Sequence, residues 1–258
     1  MMRISTLSLS ALLLATATPA FAQDAAGPTA PPPAITVTGG ATVVSDYRFR
    51  GISQTDKKVA LQGTFTITHQ SGLYASVWGS SIDDYVAFGS DQELDLIAGY
   101  SHTFKSGVKL DGGVLYYYYP GAGHNKTDFF EPYVDVSATY GPITGKVTVN
   151  YTPKQSAQSL DGIHKKDSTY VAGDLSAAIP KTPFSVTAHL GHTFGPSALS
   201  LGYKGYTDWG LGASYTWNHI TVGANYVDTD KNNFIVDGLG NRRNITSGGF
   251  VGSVGVSF

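Results

Sequence analysis

Val59-Ala60-Leu61-Gln62-Gly63-Thr64-Phe65-Thr66-Ile67-Thr68, then His69-Gln70-Ser71-Gly72, then Leu73-Tyr74-Ala75-Ser76-Val77-Trp78: this stretch decides the fold. In the first run Val59, Leu61, Gly63, Phe65 and Ile67 take every second position, with Ala60, Gln62, Thr64, Thr66 and Thr68 between them. Neighbouring side chains of a β-strand point to opposite faces, so a two-residue period gives one apolar face and one polar face. After the link ending in Gly72 the alternation resumes, Leu73, Ala75 and Val77 standing against Tyr74, Ser76 and Trp78. Two such runs joined by so short a link read as an antiparallel hairpin.

The same period extends outward in both directions. Upstream, Ile35, Val37, Gly39, Ala41 and Val43 form an apolar face; downstream, further alternating runs start near Leu94, Val108, Val134, Ile143, Val171, Phe184, Trp209, Ile220 and Phe250. That makes twelve strands, an even number, as single-chain bacterial barrels have. The links alternate in length. Gln70-Ser71-Gly72, Lys105-Ser106-Gly107, Gly141-Pro142, Lys181-Thr182-Pro183 and Asn218-His219 are tight, whereas 51–57, 81–91, 120–127, 153–167, 195–205 and 229–247 are longer and polar. An outer-membrane barrel has short periplasmic turns and long outer loops, which places both N- and C-termini on the periplasmic side; a soluble sandwich has no reason to sort its loops so regularly. Tyr100, Phe104, Tyr140, Phe184, Trp217 and Phe258 fall near the tight turns, and Tyr116, Tyr118, Tyr151 and Tyr226 towards the long loops. Two aromatic belts about 25 Å apart suit a lipid-facing wall. The expected fold is all-β: a closed, antiparallel, up-and-down transmembrane β-barrel of about twelve strands.

Residues 1–22 are expected to be a cleaved signal peptide, with Arg3 in the positive segment, an apolar run over 7–15 and Ala20-Phe21-Ala22 before the cut. Residues 23–34, with Pro31-Pro32-Pro33, read as a Pro-rich periplasmic arm, and 35–258 as the barrel. The chain has 17 Lys and Arg against 19 Asp and Glu, a formal net charge of −2, and no Cys. With no basic block, nucleic acid is not an expected partner. Without disulfides, an exported chain is held by inter-strand hydrogen bonds. After residue 22 no apolar run is long enough for a spanning helix, so entry into a membrane is by strands.

Ser45-Asp46-Tyr47-Arg48-Phe49-Arg50-Gly51-Ile52-Ser53-Gln54-Thr55 resembles the N-terminal signature of a bacterial family called the TorF or Gcw_chp porins. Gly72-Leu73-Tyr74-Ala75-Ser76-Val77-Trp78-Gly79-Ser80 and Glu93-Leu94-Asp95 are similar to later parts of that family, and the resemblance runs over essentially the whole mature chain. It implies an outer-membrane barrel that passes small solutes, and it brings no catalytic residues and no cofactor. Phe258, with Phe250, Val254 and Val256 at alternate positions behind it, resembles the signal read by the barrel-insertion machinery. Outer-membrane lipid, small polar solutes and that machinery are the expected partners.

The charges expected to line the lumen are Arg48, Arg50, Glu93, Asp95, Lys109, Asp111, Glu131, Asp135, Lys146 and Asp174, with Asp46 and Asp208 beside them. Arg48 and Arg50, two apart on strand 1, are read as projecting from one face. So many ionisable groups require a hydrated or a tightly paired interior. Tyr74, Trp78, Tyr117, Tyr119, Tyr133 and Tyr170 narrow it. The functional expectation is a narrow channel for passive diffusion of small polar solutes, with the arginines facing carboxylates of strands 4 to 6 across water and the acidic excess favouring cations. Local salt bridges from the arginines to Asp46 or nearby loop carboxylates, which merely stiffen the barrel, are the bland alternative. The rival class is a closed structural or adhesion barrel acting through its outer loops.

An enzyme is not expected. His69 and Ser71 resemble the pair of outer-membrane phospholipases, but they lie at a tight turn with no third polar group to orient them. Asp228 to Asn233 begins like a calcium loop yet has Asn233 where the sharp turn needs Gly. His189 and His192 are three apart on a strand, so they face opposite sides and cannot share a metal.

The last strand yields a first prediction. Removing Phe258, or making Val254→Asp with Val256→Asp, is expected to abolish insertion, because charge on the lipid face is costly near mid-membrane. Heat-modifiable migration of outer-membrane fractions measures this, and an unchanged yield of folded double variant would refute the lipid-facing assignment.

Overall fold

The computed structural model describes residues 33–236 and 240–258. The signal segment 1–22 and the arm as far as residue 32 lie outside the described residues.

Each alternating run becomes a strand, because its two faces meet two different surroundings. In chain order these are β1 (Ile35–Val44), β2 (Ala60–His69), β3 (Leu73–Ser81), β4 (Gln92–Thr103), β5 (Val108–Tyr118) and β6 (Phe129–Tyr140). Then follow β7 (Ile143–Gln155), β8 (Lys166–Ala178), β9 (Phe184–Phe194), β10 (Gly205–Trp217), β11 (Ile220–Thr229) and β12 (Gly249–Ser257). Each pairs antiparallel with its sequence neighbours, and β12 returns to β1, so the twelve form a closed up-and-down barrel. The register runs from Ile35 opposite His69 to Val44 opposite Ala60 between β1 and β2. The closing seam sets Gly40 to Val44 against Ser257 to Ser253. Reciprocal backbone bonds between Gly39 and Phe258, at 3.0 and 2.9 Å, extend that seam by one step.

Each of the five tight links contains one residue at positive φ: Gly72, Gly107, Gly141, Lys181 and Asn218. Gly72 is the most constrained. Its φ is 100°, and a Cβ there would collide with the carbonyl oxygen of Ser101 on the next hairpin. Only glycine meets both demands.

The two faces separate as the alternation requires. Val37, Leu61, Phe65, Leu96, Val147, Leu211 and Val254 are exposed on the outer wall, together with Phe250, Val256 and Phe258. Exposed apolar surface on this scale is the surface of a protein that lies in lipid. Tyr100, Phe104, Tyr140, Phe184, Trp217 and Phe258 stand exposed towards the tight-turn end, and Tyr116, Tyr118 and Tyr151 towards the other. Inside, the buried side chains are mostly polar, with small apolar clusters such as Val44, Tyr47, Trp78, Val227 and Val251 between them.

One expectation is corrected. Arg48 and Arg50 do not lie on β1, which ends at Val44. The chain then turns into the lumen, and Arg48–Phe49 pairs with Ile52–Ser53 in a minute hairpin. The turn is made by Arg50 and Gly51, both at positive φ, 48° and 80°. The alternation through Asp46, Arg48 and Arg50 therefore belongs to a folded loop, not to a longer strand. A second small hairpin, Phe234–Val236 with Arg242–Asn244, lies in the last long link.

Gly72→Val is expected to destabilise the barrel by roughly 1–3 kcal/mol, the usual cost of a forced backbone conformation. The check is the urea midpoint of the protein folded in lipid vesicles, which should fall; an unmoved midpoint would show that the turn relaxes freely.

Candidate functional site

The first long link, residues 45–59, folds into the lumen at the end opposite the tight turns. Its anchors are polar. Asp46 Oδ2 takes the Arg48 Nε–H at 2.5 Å, while its Oδ1 accepts from the hydroxyls of Ser53 at 2.6 Å and Thr55 at 3.3 Å. Arg48 Nη1 also donates to the carbonyls of Gly51 (3.0 Å) and Ser247 (3.1 Å), tying this link to the last one. The Tyr47 hydroxyl donates to Glu93 at 3.1 Å, and its ring lies 5.3 Å from that of Trp78.

Arg50 reaches furthest. Its Nη2 donates to both oxygens of Glu131 on β6, at 2.8 and 2.7 Å. Its guanidinium carbon lies 4.2 Å from the Tyr170 ring centroid on β8 and 4.8 Å from that of Phe49. Its carbonyl accepts from the Tyr206 hydroxyl on β10 at 3.1 Å. Glu131 is fully buried and also accepts from Thr152 Oγ1 (2.6 Å), Asn150 Nδ2 (3.0 Å) and the Tyr117 hydroxyl (3.1 Å). A buried ion pair repays its desolvation only with good geometry and additional hydrogen bonds. Glu131 has both.

The two arginines thus take different parts. Arg48 makes the local pair with Asp46 that the bland alternative described. Arg50 does oppose a carboxylate of β6, but by direct contact where the sequence had suggested a field across water. The loop, not the wall, carries the charge over.

The remaining charged candidates form short wall networks. Lys109 lies 3.3 Å from Asp111, which also accepts from the Tyr74 hydroxyl at 2.7 Å; that hydroxyl touches the one of Tyr133. Asp95 and Asp135 are buried on the inner faces of β4 and β6. On the other side Lys146 lies 3.3 Å from Asp174, and His189 bridges Asp174 (2.7 Å) and Asp208 (2.9 Å). The Tyr170 hydroxyl donates to Asp208 at 3.1 Å.

Between the loop and this second wall lies a cavity of about 90 Å³. Arg48, Arg50, Lys146 and Asp174 line it, and so do His189 and Asp208. Glu93, Asp95, Lys109, Asp111, Glu131 and Asp135 are not part of its lining. Sequence reasoning missed Tyr206 and Gly191. Tyr206 stands two before Asp208, so the strand period placed it on the same face. Gly191 carries no such signal. A Cβ there would collide with the Tyr170 hydroxyl, so glycine lets that ring lie flat on the wall.

His69 Nδ1 and Ser71 Oγ are 2.9 Å apart, but the same nitrogen accepts the Ser71 backbone N–H at 3.2 Å. Both side chains are exposed at the turn, and the pair serves the turn geometry. In the would-be calcium loop, Asp228 lies on β11 and accepts from the Tyr226 hydroxyl at 3.0 Å, while Asp230, just beyond the strand, accepts from the Thr207 N–H at 2.8 Å.

A family model described as "Bacterial protein of unknown function (Gcw_chp)" matches residues 25–258. The chain belongs to the Gcw_chp family. The name TorF rests on the sequence resemblance alone. No curated protein matches the Gcw_chp chain. Among solved structures, it is similar to the NanC porin at 15% identity and a TM-score of 0.55, over 86% of this chain and 99% of that one. The toluene transporter TodX of Pseudomonas putida, at 9% identity, covers 88% and 90% with a TM-score of 0.48. The outer membrane channel DcaP of Acinetobacter baumannii, at 10%, covers 87% and 97% with 0.45. Of these three, NanC alone lies above 0.5, and at 15% identity the likeness is one of fold. The Gcw_chp chain thus has the fold of a porin.

Arg50→Met removes the cation paired with Glu131 and leaves a buried carboxylate with three neutral donors among the described residues. The expected loss is about 3–5 kcal/mol, as for other broken buried pairs. It is read as a lower temperature of the heat-modifiable transition. Arg50→Met with Glu131→Gln should recover part of that loss; no recovery would deny the pair its place in holding the loop.

Proposed function

We propose that this barrel lies in the bacterial outer membrane with both termini periplasmic, inserted by the barrel-assembly machinery, and conducts small polar solutes by passive diffusion. The observation that carries this reading is the polar cavity beside the inward-folded loop, enclosed by a wall whose outer face is apolar. A barrel built only as a scaffold needs no charged interior, because apolar side chains would fill it at lower desolvation cost. Twelve strands also fall between barrels of about eight, filled by side chains, and those of roughly 16–18, which hold wide aqueous channels. The loop then sets the narrowest cross-section. Passage, not catalysis, is the function we assign: the lumen's charged side chains stand largely in ion pairs and hydrogen-bond networks, and the His69–Ser71 pair sits outside it in a turn.

The Arg50–Glu131 contact favours a second reading, in which the loop is a permanent plug and the barrel acts through its outer links. Planar-bilayer recording separates the two. Folded wild-type protein is expected to show small conductance steps, and the Arg50→Gln/Glu131→Gln protein steps several times larger, because the loop is no longer tied across. In a salt gradient, Arg48→Gln with Arg50→Gln should move the reversal potential towards that of cations. Complete electrical silence of both wild type and variants, with folding intact, would establish the plug.

A further inference from the structure

The cavity is lined by three acidic residues, Asp46, Asp174 and Asp208, and three basic ones, Arg48, Arg50 and Lys146. Before His189 is counted the formal charge is balanced, and what distinguishes the two signs is spare hydrogen-bonding capacity. Each of the three carboxylates already holds at least two donors. Asp46 holds Arg48, Ser53 and Thr55. Asp174 holds Lys146 on one oxygen and His189 on the other. Asp208 holds His189 and the Tyr170 hydroxyl on Oδ1, and that hydroxyl lies 3.2 Å from Oδ2.

The bases are not used up in the same way. Arg50 spends Nη2 on Glu131, but Nη1 is buried and has no hydrogen-bond partner. The side chain as a whole is only 5% exposed. A buried guanidinium nitrogen left without an acceptor is costly, so its neighbourhood is one that an acceptor stabilises. Lys146, with three ammonium hydrogens, has one close carboxylate at 3.3 Å and also faces this space. Gln62, on β2 across the lumen, presents a buried Oε1 without a partner to the same cavity, an acceptor for a hydroxyl or amide hydrogen. Tyr47, Phe49 and Tyr170 supply apolar ring surface.

We infer that this cavity is a binding site for a small monocarboxylate, its carboxylate taken by Arg50 Nη1 and Lys146 and its short carbon chain laid against the aromatic rings. One unpartnered guanidinium nitrogen and one ammonium on the same lining suit a single carboxylate group. A phosphate, with more charge and more oxygens, finds too few donors. A cavity of about 90 Å³ admits only a few heavy atoms. The site thereby selects an anion from a lumen whose total charge is acidic, because the cavity's own acids already hold donors while one guanidinium nitrogen holds no acceptor. The assignment deepens the channel reading and takes its physiological purpose from it, but binding is measurable without any current.

The probes are sodium propionate and its neutral isostere propionamide, with inorganic phosphate as the competing oxyanion. Purified, refolded wild-type barrel is heated with each, and the unfolding midpoint is followed by tryptophan fluorescence. Propionate in the millimolar range is expected to raise the midpoint by a few degrees while propionamide leaves it unchanged. Lys146→Gln, whose partner Asp174 keeps His189, should fold and require about tenfold more propionate for the same shift. Equal shifts with propionate and propionamide, no shift with either, or tighter binding of phosphate would each overturn the assignment. Bilayer current recorded alongside keeps the two readings apart: current without propionate stabilisation removes the site and leaves the channel, and stabilisation without current does the reverse.

Discussion

In lipid, a backbone N–H or C=O without a partner costs several kcal/mol, so no strand of this protein can end a sheet. β1 has a place only because β12 comes back to it, from Gly40 opposite Ser257 to Val44 opposite Ser253. That closure dictates the rest. The outer wall must be apolar because it meets hydrocarbon. Period two then turns the other half of every strand inward, where Thr, Ser, Asn, Asp, Glu and Tyr accumulate. The polar interior follows from a cylinder whose apolar side is already committed, and it must then satisfy its own polar groups.

The first loop is how it does so. Glu131, fully buried on β6, takes Arg50 from the loop; Glu93 takes the Tyr47 hydroxyl; Tyr206 gives its proton to the Arg50 carbonyl. Each of these contacts ties the loop to the wall. The wall farther round needs less help, since Lys146, Asp174, His189 and Asp208 pair across neighbouring strands. The lumen is therefore divided: one side packed against the loop, the other lined by a self-contained ladder and left roomier. The cavity lies at the border between the two.

This division explains which parts could be read from the chain. Strand positions and the sorting of links followed from alternation and turn residues, because each is a local property: Leu61 and Phe65 face lipid wherever the neighbouring strands lie. The charged residues of the walls could be assigned to the inner face for the same reason. The loop could not. Asp46, Arg48 and Arg50 keep a two-residue spacing that imitates a strand, and the positive φ of Arg50 has no signature in a residue type that rarely adopts it. Nor does spacing say whether opposed charges meet or stay apart; that depends on how far a folded segment projects, a tertiary matter. Glycine 191 was silent for the opposite reason, since its value lies in the ring of another strand.

A segment that sits inside a cylinder has to be there before the cylinder is finished. Arg50 comes early in the chain, yet it meets Glu131 after a gap of 81 residues and Tyr206 after one of 156. Contacts so distant in sequence form slowly, since the entropy of closing long loops opposes them until late. The hairpins beginning with β2–β3 and ending with β10–β11 can assemble from neighbours, but the loop becomes fixed only as the sheet curls around it. The last strand to arrive, β12, shuts the seam against β1, the strand from which the loop springs. The loop's contacts with the far wall and the closing of the seam are thus both long-range steps, and contact order places both late.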